Sequence, residues 1–515
     1  MSNRDLDATW TYHNQTKHSY ESIHAEPHYL DWENQPLPFK IYTTLDPMPL
    51  PRDLLSSDVP ALSAIAPFNV SPAPPSMPSL AMLASLLYYS AGITKRRQYP
   101  GGDILFRAAA CTGALYHIEL YLVCGDLPEL PAGVYHFGPG DFALRRLRQG
   151  DYRDVIVQAT GGEASVATAA LTLICTGTYW RNAWKYRART YRHCFWDTGT
   201  ILANLLTLAS AHAMPTKVVM GFIDEAINGL LGLDVQREVA LTLVALGHDP
   251  HGSPRSHPAL EPRQFETLPL SNQEIAYPAI NVMHAASALV DQAEAASWHG
   301  QMPPQRAESK GELFPLQPLS PVDAPPDAIE QVILRRGSSR RFARAPVGYA
   351  QLSTMLQRAT QGFSADFVEV PGPMLNDLYL IVNAVDDLPS GAYVFRRDQG
   401  DLELLRRGDF RRDAGYLGLM QEIPADASVD VFFMADLRAV LGRFGNRGYR
   451  AAQLEAGIIG GKLYLAAYAQ RLGASGLTFF DDDVTQFFAP HAGDKSVMFL
   501  VALGRAGKLP RDRLA

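Results

Sequence analysis

Arginine and serine side chains are concentrated in one short run that could bind a phosphate. The run, Arg335-Arg-Gly-Ser-Ser-Arg-Arg-Phe342, combines four guanidinium groups with two hydroxyls. Guanidinium groups bind phosphate oxygens through paired, charge-assisted hydrogen bonds. A solvated basic turn is an equally acceptable interpretation of an isolated cluster, because surface charge runs are common. The run therefore needs support from other residues before it indicates a ligand.

Lys185 and Tyr186 are the candidate catalytic residues. They lie in Trp184-Lys-Tyr-Arg187, ahead of a long apolar helix predicted over 198–212. A neighbouring lysine and tyrosine can transfer a proton when their surroundings lower their pKa values. The alternative is a surface lysine that extends beside a half-buried tyrosine and has no chemical role.

Small residues fill the segment Ala108-Ala-Ala-Cys-Thr-Gly-Ala-Leu-Tyr116, just before a strand predicted over 118–124. Small side chains let a backbone approach a flat ligand closely. A tight entry into the strand explains the composition equally well.

The chain nearly repeats itself after 258 residues. Leu130-Pro-Ala-Gly-Val-Tyr135 returns as Leu388-Pro-Ser-Gly-Ala-Tyr393, and Gly150-Asp-Tyr-Arg153 returns as Gly408-Asp-Phe-Arg411 in the same register. Such a repeat indicates two copies of one domain fused in tandem. A site between the copies would then need only one chain.

The repeat predicts four regions. They are an irregular N-terminal arm (1–75), a first copy (76–250), a proline-rich connector with one helix over 279–298 (251–326), and a second copy (327–515). Periodicity predicts helices over 79–92, 198–212, 350–362 and 453–472, and strands over 118–124, 239–246, 378–382, 392–396 and 497–503. Helices and strands alternate without a regular βαβ rhythm, which favours an α+β sandwich.

The composition of the chain argues against nucleic-acid binding and against a membrane location. The net charge is −7, so a general affinity for nucleic acid or anionic membranes is not expected. The N-terminus has no apolar stretch of signal-peptide type and no run has the length of a membrane span, so we expect a cytoplasmic protein.

Metal and disulfide chemistry are not expected from spacing. The four cysteines, Cys111, Cys124, Cys175 and Cys194, form no C-x-x-C pair and are predicted to be free buried thiols in a reducing compartment. His24 and His28 have the spacing of helical metal ligands, but Pro27 between them argues against that helix.

These motifs together resemble the nitroreductase superfamily, whose members bind FMN at a dimer interface. Arg336-x-Ser338-x-Arg340-x-Phe342 is similar to the phosphate-binding opening of that family. Gly473-Ala-Ser-Gly-Leu477 resembles the segment whose backbone faces the flavin ring, and Val501-Ala-Leu-Gly-Arg505 resembles the final strand and the basic residue after it.

The first copy is similar to the SagB/ThcOx-type dehydrogenases, which oxidise azoline rings in peptides to azoles. The matching stretches are Tyr12-His-x-x-Thr-Lys-His-Ser19, Leu30-Asp-Trp-x-Asn-Gln-Pro36, Gly113-Ala-Leu-Tyr-x-Ile-Glu-Leu-Tyr121 and Trp184-Lys-Tyr186. The resemblance covers most of 10–250 and, as generic nitroreductase, 330–506.

The resemblance implies two tandem nitroreductase-like sandwich domains that form an intramolecular pseudo-dimer around FMN. Each copy departs from the family pattern. The first has no clear Arg-x-Ser-x-Arg opening, whereas the second has Glu369-Val-Pro-Gly-Pro373 in place of the small-residue loop and Arg443-Phe444 in place of Lys-Tyr. Because the departures are complementary, we expect one intact flavin site.

The implied site draws residues from both copies. The phosphate would be held by Arg336, Ser338, Arg340 and Arg505. The ring would be covered by Thr112 and Gly113 and faced by Ser475, Gly476 and Leu477. The proton would pass to Lys185 or Tyr186, but the sequence leaves open whether Lys185 lies at this site or at the other, degraded one. In an alternative arrangement Lys217 and Arg107 supply a phosphate site for the first copy and place flavin beside Lys185.

Three functions remain open at this point. The first is an FMN-dependent dehydrogenase of a heterocycle in a small-molecule or peptide substrate. A peptide-modifying enzyme would be its partner. The second is an NAD(P)H-dependent reductase of nitro or quinone compounds, and the third is a flavin-free scaffold in a peptide-modifying complex. Association of the pseudo-dimer into homo-oligomers is compatible with all three.

Overall fold

The computed structural model describes residues 3–25, 28–66, 77–99, 102–254, 256–303, 309–369 and 372–507. Val370 and Pro371, which belong to the proline-containing loop of the second copy, lie outside them.

The strands of the first copy form a seven-stranded antiparallel sheet and a separate hairpin. The strands are β1 (Pro47–Pro49), β2 (Ile93–Tyr99), β3 (Gly102–Arg107), β4 (Ile118–Cys124), β5 (Gly133–Gly138), β6 (Ala143–Gln149), β7 (Leu171–Thr178), β8 (Thr216–Val219) and β9 (Glu238–Leu246). The sheet order is β1-β6-β5-β4-β7-β9-β8, and β2 pairs with β3 alone.

The second copy repeats this sheet. Its strands are β10 (Glu312–Pro315), β11 (Asp377–Val382), β12 (Gly391–Arg396), β13 (Asp401–Arg407), β14 (Val429–Ala435), β15 (Gly473–Leu477) and β16 (Ser496–Gly504). Their order, β10-β13-β12-β11-β14-β16-β15, is the order of the first sheet strand for strand. The α+β fold with two tandem domains, predicted from the sequence repeat, is thereby confirmed. Both outer edge strands, β1 and β10, come from outside the predicted bounds of the copies.

The helices of the first copy and its arm are α1 (Asp7–Gln15), α2 (Tyr20–Ala25), α3 (Ala61–Ile65), α4 (Leu80–Ala91), α5 (Arg153–Ala159), α6 (Ala164–Ala167), α7 (Tyr179–Tyr186), α8 (Thr190–Ala211) and α9 (Asp224–Leu231). Those that follow are α10 (Pro278–Ala286), α11 (Gln292–Ser297), α12 (Ile329–Arg335), α13 (Tyr349–Ala359), α14 (Arg411–Leu417), α15 (Glu422–Asp426), α16 (Leu437–Phe444), α17 (Arg447–Ala469) and α18 (Asp481–Phe487).

Two expectations about these helices need correction. The connector helix predicted over 279–298 is two helices, α10 and α11, because the Asp291 side chain caps a new N-terminus by accepting from Glu294 N. The arm predicted to be irregular contains three short helices and β1. The long helices α8 and α17 begin earlier than the apolar pattern indicates, since their first turns bury arginines.

Helices α8 and α17 cross at two glycines that are related by the repeat. A β-carbon added to Gly199 would lie 2.5 Å from the carbonyl carbon of Gly457. No side chain fits at that distance, so glycine at both positions lets the helix backbones touch. The crossing joins the copies into one intramolecular pseudo-dimer.

Buried ion pairs link the copies beside this crossing. Arg189 and Arg192 of the first copy donate to Asp481 of the second, with Nη1 of Arg192 2.6 Å from Oδ1 of Asp481. Although burial alone would raise it, the two guanidinium groups hold the pKa of Asp481 well below its usual range. The same arrangement recurs in the other direction with Arg447, Arg450 and Asp224.

The structure has no disulfide bond, and its described part has no helix that could span a membrane. All four cysteines are free; Cys111 is half-buried and the other three are buried. Among the described residues, none of the helices has both the length and the apolar character needed to cross a bilayer.

Candidate active site

Arg336 reaches from the second copy to the first. It follows α12 directly, and its Nε donates to the carbonyl oxygen of Ala108 at 2.8 Å while Nη2 donates to that of Arg107 at 3.0 Å. Its guanidinium lies 6.0 Å from the ring centre of Tyr464. The basic run predicted from sequence therefore lies at the entrance of the small-residue segment of the other copy.

The serines of the run face β15. The backbone nitrogen of Ser339 donates to the carbonyl oxygen of Ala474 at 2.8 Å, and Oγ of Ser338 lies 3.2 Å from the hydroxyl of Tyr464. That hydroxyl also accepts a hydrogen bond from the backbone nitrogen of Gly476. The run and the predicted flavin-facing strand thus form one continuous wall.

Three enclosed hydroxyl groups on this wall have no hydrogen-bond partner within the protein: Ser339, Ser475 and Thr478. Leaving such a group unpaired costs about 1–3 kcal/mol each. A polar ligand would supply the missing partners, and arginines with hydroxyls are a suitable donor set for the phosphate and polar ring edge of FMN. The residues present therefore fit that cofactor.

The remaining predicted binding residues lie at the rim of the wall. Leu477 and Gly476 are half-buried at the end of β15, and Arg340 is exposed. Arg505 lies beside the end of the run, where its carbonyl oxygen accepts from Ala343 N, but its Nε donates to the carbonyl oxygen of Pro346 at 2.9 Å. One donor of Arg505 is thus already committed to the protein.

The opposite wall is a tight turn of the first copy. Thr112–Ala114 form a 3-10 turn in which Gly113 has a φ of +64°, a conformation that favours glycine. A β-carbon added to Gly113 would lie 2.8 Å from the hydroxyl oxygen of Tyr186. The glycine therefore allows the candidate catalytic tyrosine to pack directly on the turn.

Lys185 and Tyr186 end α7 at this turn. Lys185 is exposed, and its Nζ lies 5.4 Å from the centre of the Tyr186 ring. Burial, together with the carboxylate of Asp197, raises the pKa of the Tyr186 hydroxyl, against a smaller lowering influence of Arg340. Proton transfer by Tyr186 was predicted to need a lowered pKa of its hydroxyl, whereas the raised pKa keeps Tyr186 protonated. The hydroxyl also lies within electrostatic reach of Arg340 of the other copy.

Asp197 was missed by the sequence analysis. It lies on α8, 3% exposed, and its Oδ1 accepts from the backbone nitrogen and the hydroxyl of Thr112 at 2.9 and 2.8 Å. Burial raises the pKa of Asp197 to about 7. The repeat could have identified it, because Glu455 holds the equivalent turn of the second copy by accepting from Leu375 N and Asn376 N.

The pseudo-symmetric twin of this site is closed by the connector. Phe444, the counterpart of Tyr186, packs against Trp298 with ring centres 5.1 Å apart, and Trp298 Nε1 donates to the carbonyl oxygen of Phe444. Trp298 is 2% exposed. Residues 77–84, which lie 258 positions before the arginine run, contain no lysine or arginine.

The structure does not bring Lys217 and Arg107 together. Lys217 pairs with Glu163 at 2.8 Å in the twin region, where Val218 N donates to Ser364 O. Arg107 instead donates to the carbonyl oxygen of Pro38 and contacts Arg336 through its own carbonyl. The alternative phosphate site formed by these two residues therefore has no geometric support.

The second copy matches a known family over residues 333–505. The matching model is that of the nitroreductase family. Candidate nitroreductase MJ1384 of Methanocaldococcus jannaschii is 24% identical over 169 residues, which cover 33% of this chain and 80% of that protein. The microcin B17-processing protein McbC of Escherichia coli is 28% identical over 154 residues, 29% of this chain and 53% of McbC. The chain thus spans about half the length of McbC.

A solved structure extends the nitroreductase fold to both copies. A candidate nitroreductase from Anabaena variabilis superimposes with a TM-score of 0.75 at 25% identity, over 97% of this chain and 99% of its own. The likeness includes the first copy and the connector as well as the nitroreductase domain. Together these findings describe a nitroreductase-like oxidoreductase.

Proposed function

We propose that the chain is an FMN-dependent oxidoreductase that dehydrogenates an azoline or a related heterocycle in a peptide-derived substrate. The observation that carries the proposal is the meeting of motifs from the two copies: Arg336 bonds to Ala108, and Tyr186 packs on Gly113 within reach of Arg340. One wall offers phosphate donors and the other a lysine–tyrosine pair. A cofactor with a phosphate and a flat ring matches that division.

The binding roles follow from position. Arg336, through the donors that do not bond to the first copy, would hold the phosphate with Ser338 and Arg340. The segment of Ser475, Gly476 and Leu477 would face one edge of the ring. Thr112 and Gly113 would cover the ring from the first copy, with Arg505 at the rim. Bound FMN would supply the hydride acceptor at this site, with dioxygen as the terminal oxidant.

The proton roles follow from exposure and charge. Oxidising an azoline to an azole removes a hydride from one ring carbon and a proton from its neighbour, and a ring double bond forms. Lys185 is exposed beside the turn and, in its neutral amine form, would take the proton and become an ammonium. Tyr186, whose pKa is raised, would stay protonated and orient the substrate by donating a hydrogen bond.

A peptide-derived substrate is supported by one relative. McbC is named as a microcin B17-processing protein, and the match to it covers 154 residues. A peptide substrate, and a peptide-modifying partner enzyme that first makes the azoline, are the simplest extension of that likeness to this chain.

A reductase of nitro or quinone compounds is the second candidate, because MJ1384 and the Anabaena variabilis protein are both named as candidate nitroreductases. Anaerobic mixing with NADPH separates the two functions. Rapid loss of flavin absorbance would favour the reductase, whereas a stable oxidised spectrum that bleaches on adding a peptide with one thiazoline would favour the dehydrogenase.

Flavin content of the purified chain is the first test. We expect one FMN per chain, since Trp298 closes the twin region. Two tightly bound flavins would overturn the single-site arrangement, and a colourless protein that does not take up added FMN would leave only the scaffold function.

Lys185→Ala tests the proton acceptor, with Lys95→Ala as the matched control because Lys95 is an exposed lysine on the β2–β3 hairpin. We expect Lys185→Ala to retain FMN and lose thiazoline oxidation by at least about 100-fold, the lower range for a general base. The control should oxidise the peptide normally. Unchanged oxidation by Lys185→Ala would remove the lysine from the mechanism.

A further inference from the structure

A cysteine, a histidine and an aspartate meet behind the turn that carries Thr112. The ligand atoms of Cys111, His117 and Asp197 all lie within 4.8 Å of one another. Cys111 Sγ is 3.0 Å and His117 Nδ1 is 3.4 Å from the same carboxylate oxygen, Oδ2 of Asp197. Thiolate, imidazole and carboxylate are the protein ligands that Zn²⁺ prefers.

His117 is buried without a hydrogen-bond partner. Its side chain is fully enclosed, and neither ring nitrogen makes a hydrogen bond to another protein group. A buried imidazole that lacks any partner costs free energy that a structural role does not recover.

We infer that Cys111, His117 and Asp197 form a binding site for a zinc-class divalent metal ion. Tetrahedral Zn²⁺ with ligand bonds of about 2.0–2.3 Å separates its sulfur and oxygen ligands by about 3.5 Å and its nitrogen and oxygen ligands by about 3.3 Å. The two separations in the structure, 3.0 and 3.4 Å, need only small adjustments. The third, from Cys111 Sγ to the His117 ring nitrogen, is at most 4.8 Å and would have to close to about 3.6 Å.

The two carboxylate oxygens of Asp197 make different contacts, which also suits a metal ligand. Oδ2 faces Cys111 and His117, while Oδ1 accepts from the nitrogen and hydroxyl of Thr112 at 2.9 and 2.8 Å. Ligating carboxylates are commonly fixed by such hydrogen bonds to the other oxygen. The metal would therefore hold the turn of Thr112 and Gly113 without displacing its anchor.

A small cavity beside two of the three ligands offers a place for water as the fourth ligand. A cavity of about 10 Å³ is lined by Cys111, Tyr116 and Asp197 among others. That volume is about the minimum for one water molecule. Three protein ligands and one water complete four-coordinate zinc.

Two guanidinium groups near His117, those of Arg181 and Arg107, oppose a cation at this site, and each has a compensating contact of its own. Arg181 is paired with the carboxylate of Glu119 at 2.6 Å, and the guanidinium of Arg107 lies on the ring of Tyr116, 5.0 Å from its centre. Metal binding would convert the Cys111 thiol to a thiolate and release one proton, so the site gains one net positive charge.

The pair of copies supplies an internal comparison. In the second copy Glu455 anchors the equivalent turn as Asp197 does, but the positions of Cys111 and His117 hold Glu369 and Leu375. The anchor is thus common to both copies, whereas the additional cysteine and histidine occur only beside the proposed flavin site.

Metal content tests the inference, which does not depend on the proposed oxidoreductase activity. The full-length chain, with and without FMN, would be equilibrated with Zn²⁺, passed over a weak chelating resin and analysed by mass spectrometry for zinc. We expect one Zn²⁺ per chain, and Co²⁺ in its place should give a thiolate-to-cobalt absorption band. Calorimetry in two buffers at about pH 8.5, where Asp197 is already ionised in the metal-free protein, should show release of about one proton per ion.

Two variants and one control locate the ion. Cys111→Ser and His117→Gln should each lower zinc affinity by at least about tenfold. Cys175→Ser, which removes a buried thiol of β7 away from any carboxylate, should bind one Zn²⁺ normally. Absence of retained zinc in the unmodified chain, absence of the cobalt band, or equal retention by all three variants would each overturn the inference. FMN absorbance, read on the same samples, reports separately on the flavin site.

Discussion

Asp481 should contribute far more to stability than its neighbour Asp482, although the two are adjacent in sequence. Asp481 is 2% exposed and accepts from Arg189 and Arg192 of the other copy at 3.0 and 2.6 Å. The side chain of Asp482 is 78% exposed and pairs with Lys17 at the surface. We therefore compare Asp481→Asn with Asp482→Asn as matched single-charge changes.

The expected difference follows from burial. Replacing Asp481 leaves two buried guanidinium groups without a counter-charge, and breaking a buried ion pair in this way costs about 3–5 kcal/mol. Breaking the surface pair of Asp482 costs about 0–1 kcal/mol. Urea unfolding at neutral pH, followed by circular dichroism, gives both values as changes in the free energy of unfolding.

The dependence of the unfolding free energy on pH in the acid range adds an independent check. The arginines hold the pKa of Asp481 below its ordinary value, so its contribution is present above the unfolded pKa of about 3.9 and is lost as pH falls further. The difference between the unmodified protein and Asp481→Asn should therefore shrink below about pH 4. A loss under 1 kcal/mol at neutral pH, or a difference that grows on acidification, would refute the reasoning that the triads hold the copies together.

Three further predictions concern the site and the crossing. Gly113→Ala should destabilise the fold by about 1–2 kcal/mol, because φ is +64° and the new methyl meets the Tyr186 hydroxyl; Tyr186→Phe should recover part of the loss in a double-mutant cycle of unfolding free energies, and a neutral Gly113→Ala would contradict this. The pKa of Asp197 is raised to about 7, so ionisation of this carboxyl opposes folding. In urea titrations with a chelator present, the stability of the unmodified protein relative to Asp197→Asn should fall by about 4 kcal/mol as pH rises from about 4 to about 7. Parallel pH curves for the two proteins would contradict this. Gly199→Val should cost about 3 kcal/mol or more in the same assay, since the helix backbones at Gly457 leave no room, and a change below 1 kcal/mol would show that the helices separate freely.

The fold was largely predictable because the repeat and the strand patterns are local features. The strands predicted over 118–124 and 378–382 agree with β4 and β11 within one residue, since alternation of β-branched and aromatic residues marks buried strands directly. The connector was not predictable in the same way. Its apolar residues continue across Ser287–Val290, and only the cap by Asp291 and the bond of Leu289 N to Asp224 divide it into α10 and α11.

The candidate site was predictable in its residue types but not in its pairing. The sequence could not assign the arginine run to the same site as Lys185, because that depends on how the copies face each other. The contacts of Arg336 with Ala108, and of Tyr186 with Gly113, place them on opposite walls of one site. Asp197 had no local signal at all, since a single carboxylate in an apolar helix is visible only by comparison with Glu455.

The asymmetry of the pseudo-dimer explains how the two copies could diverge without losing the fold. The glycine crossing and the arginine–aspartate triads are kept in both directions, so each copy remains indispensable to the other's stability. The turns and the helix ends beside them carry no such constraint. In the twin region Trp298 of the connector packs on Phe444, which occupies the position equivalent to Tyr186. A fused chain can therefore retain one site built from both copies, and use the other as structural support for it.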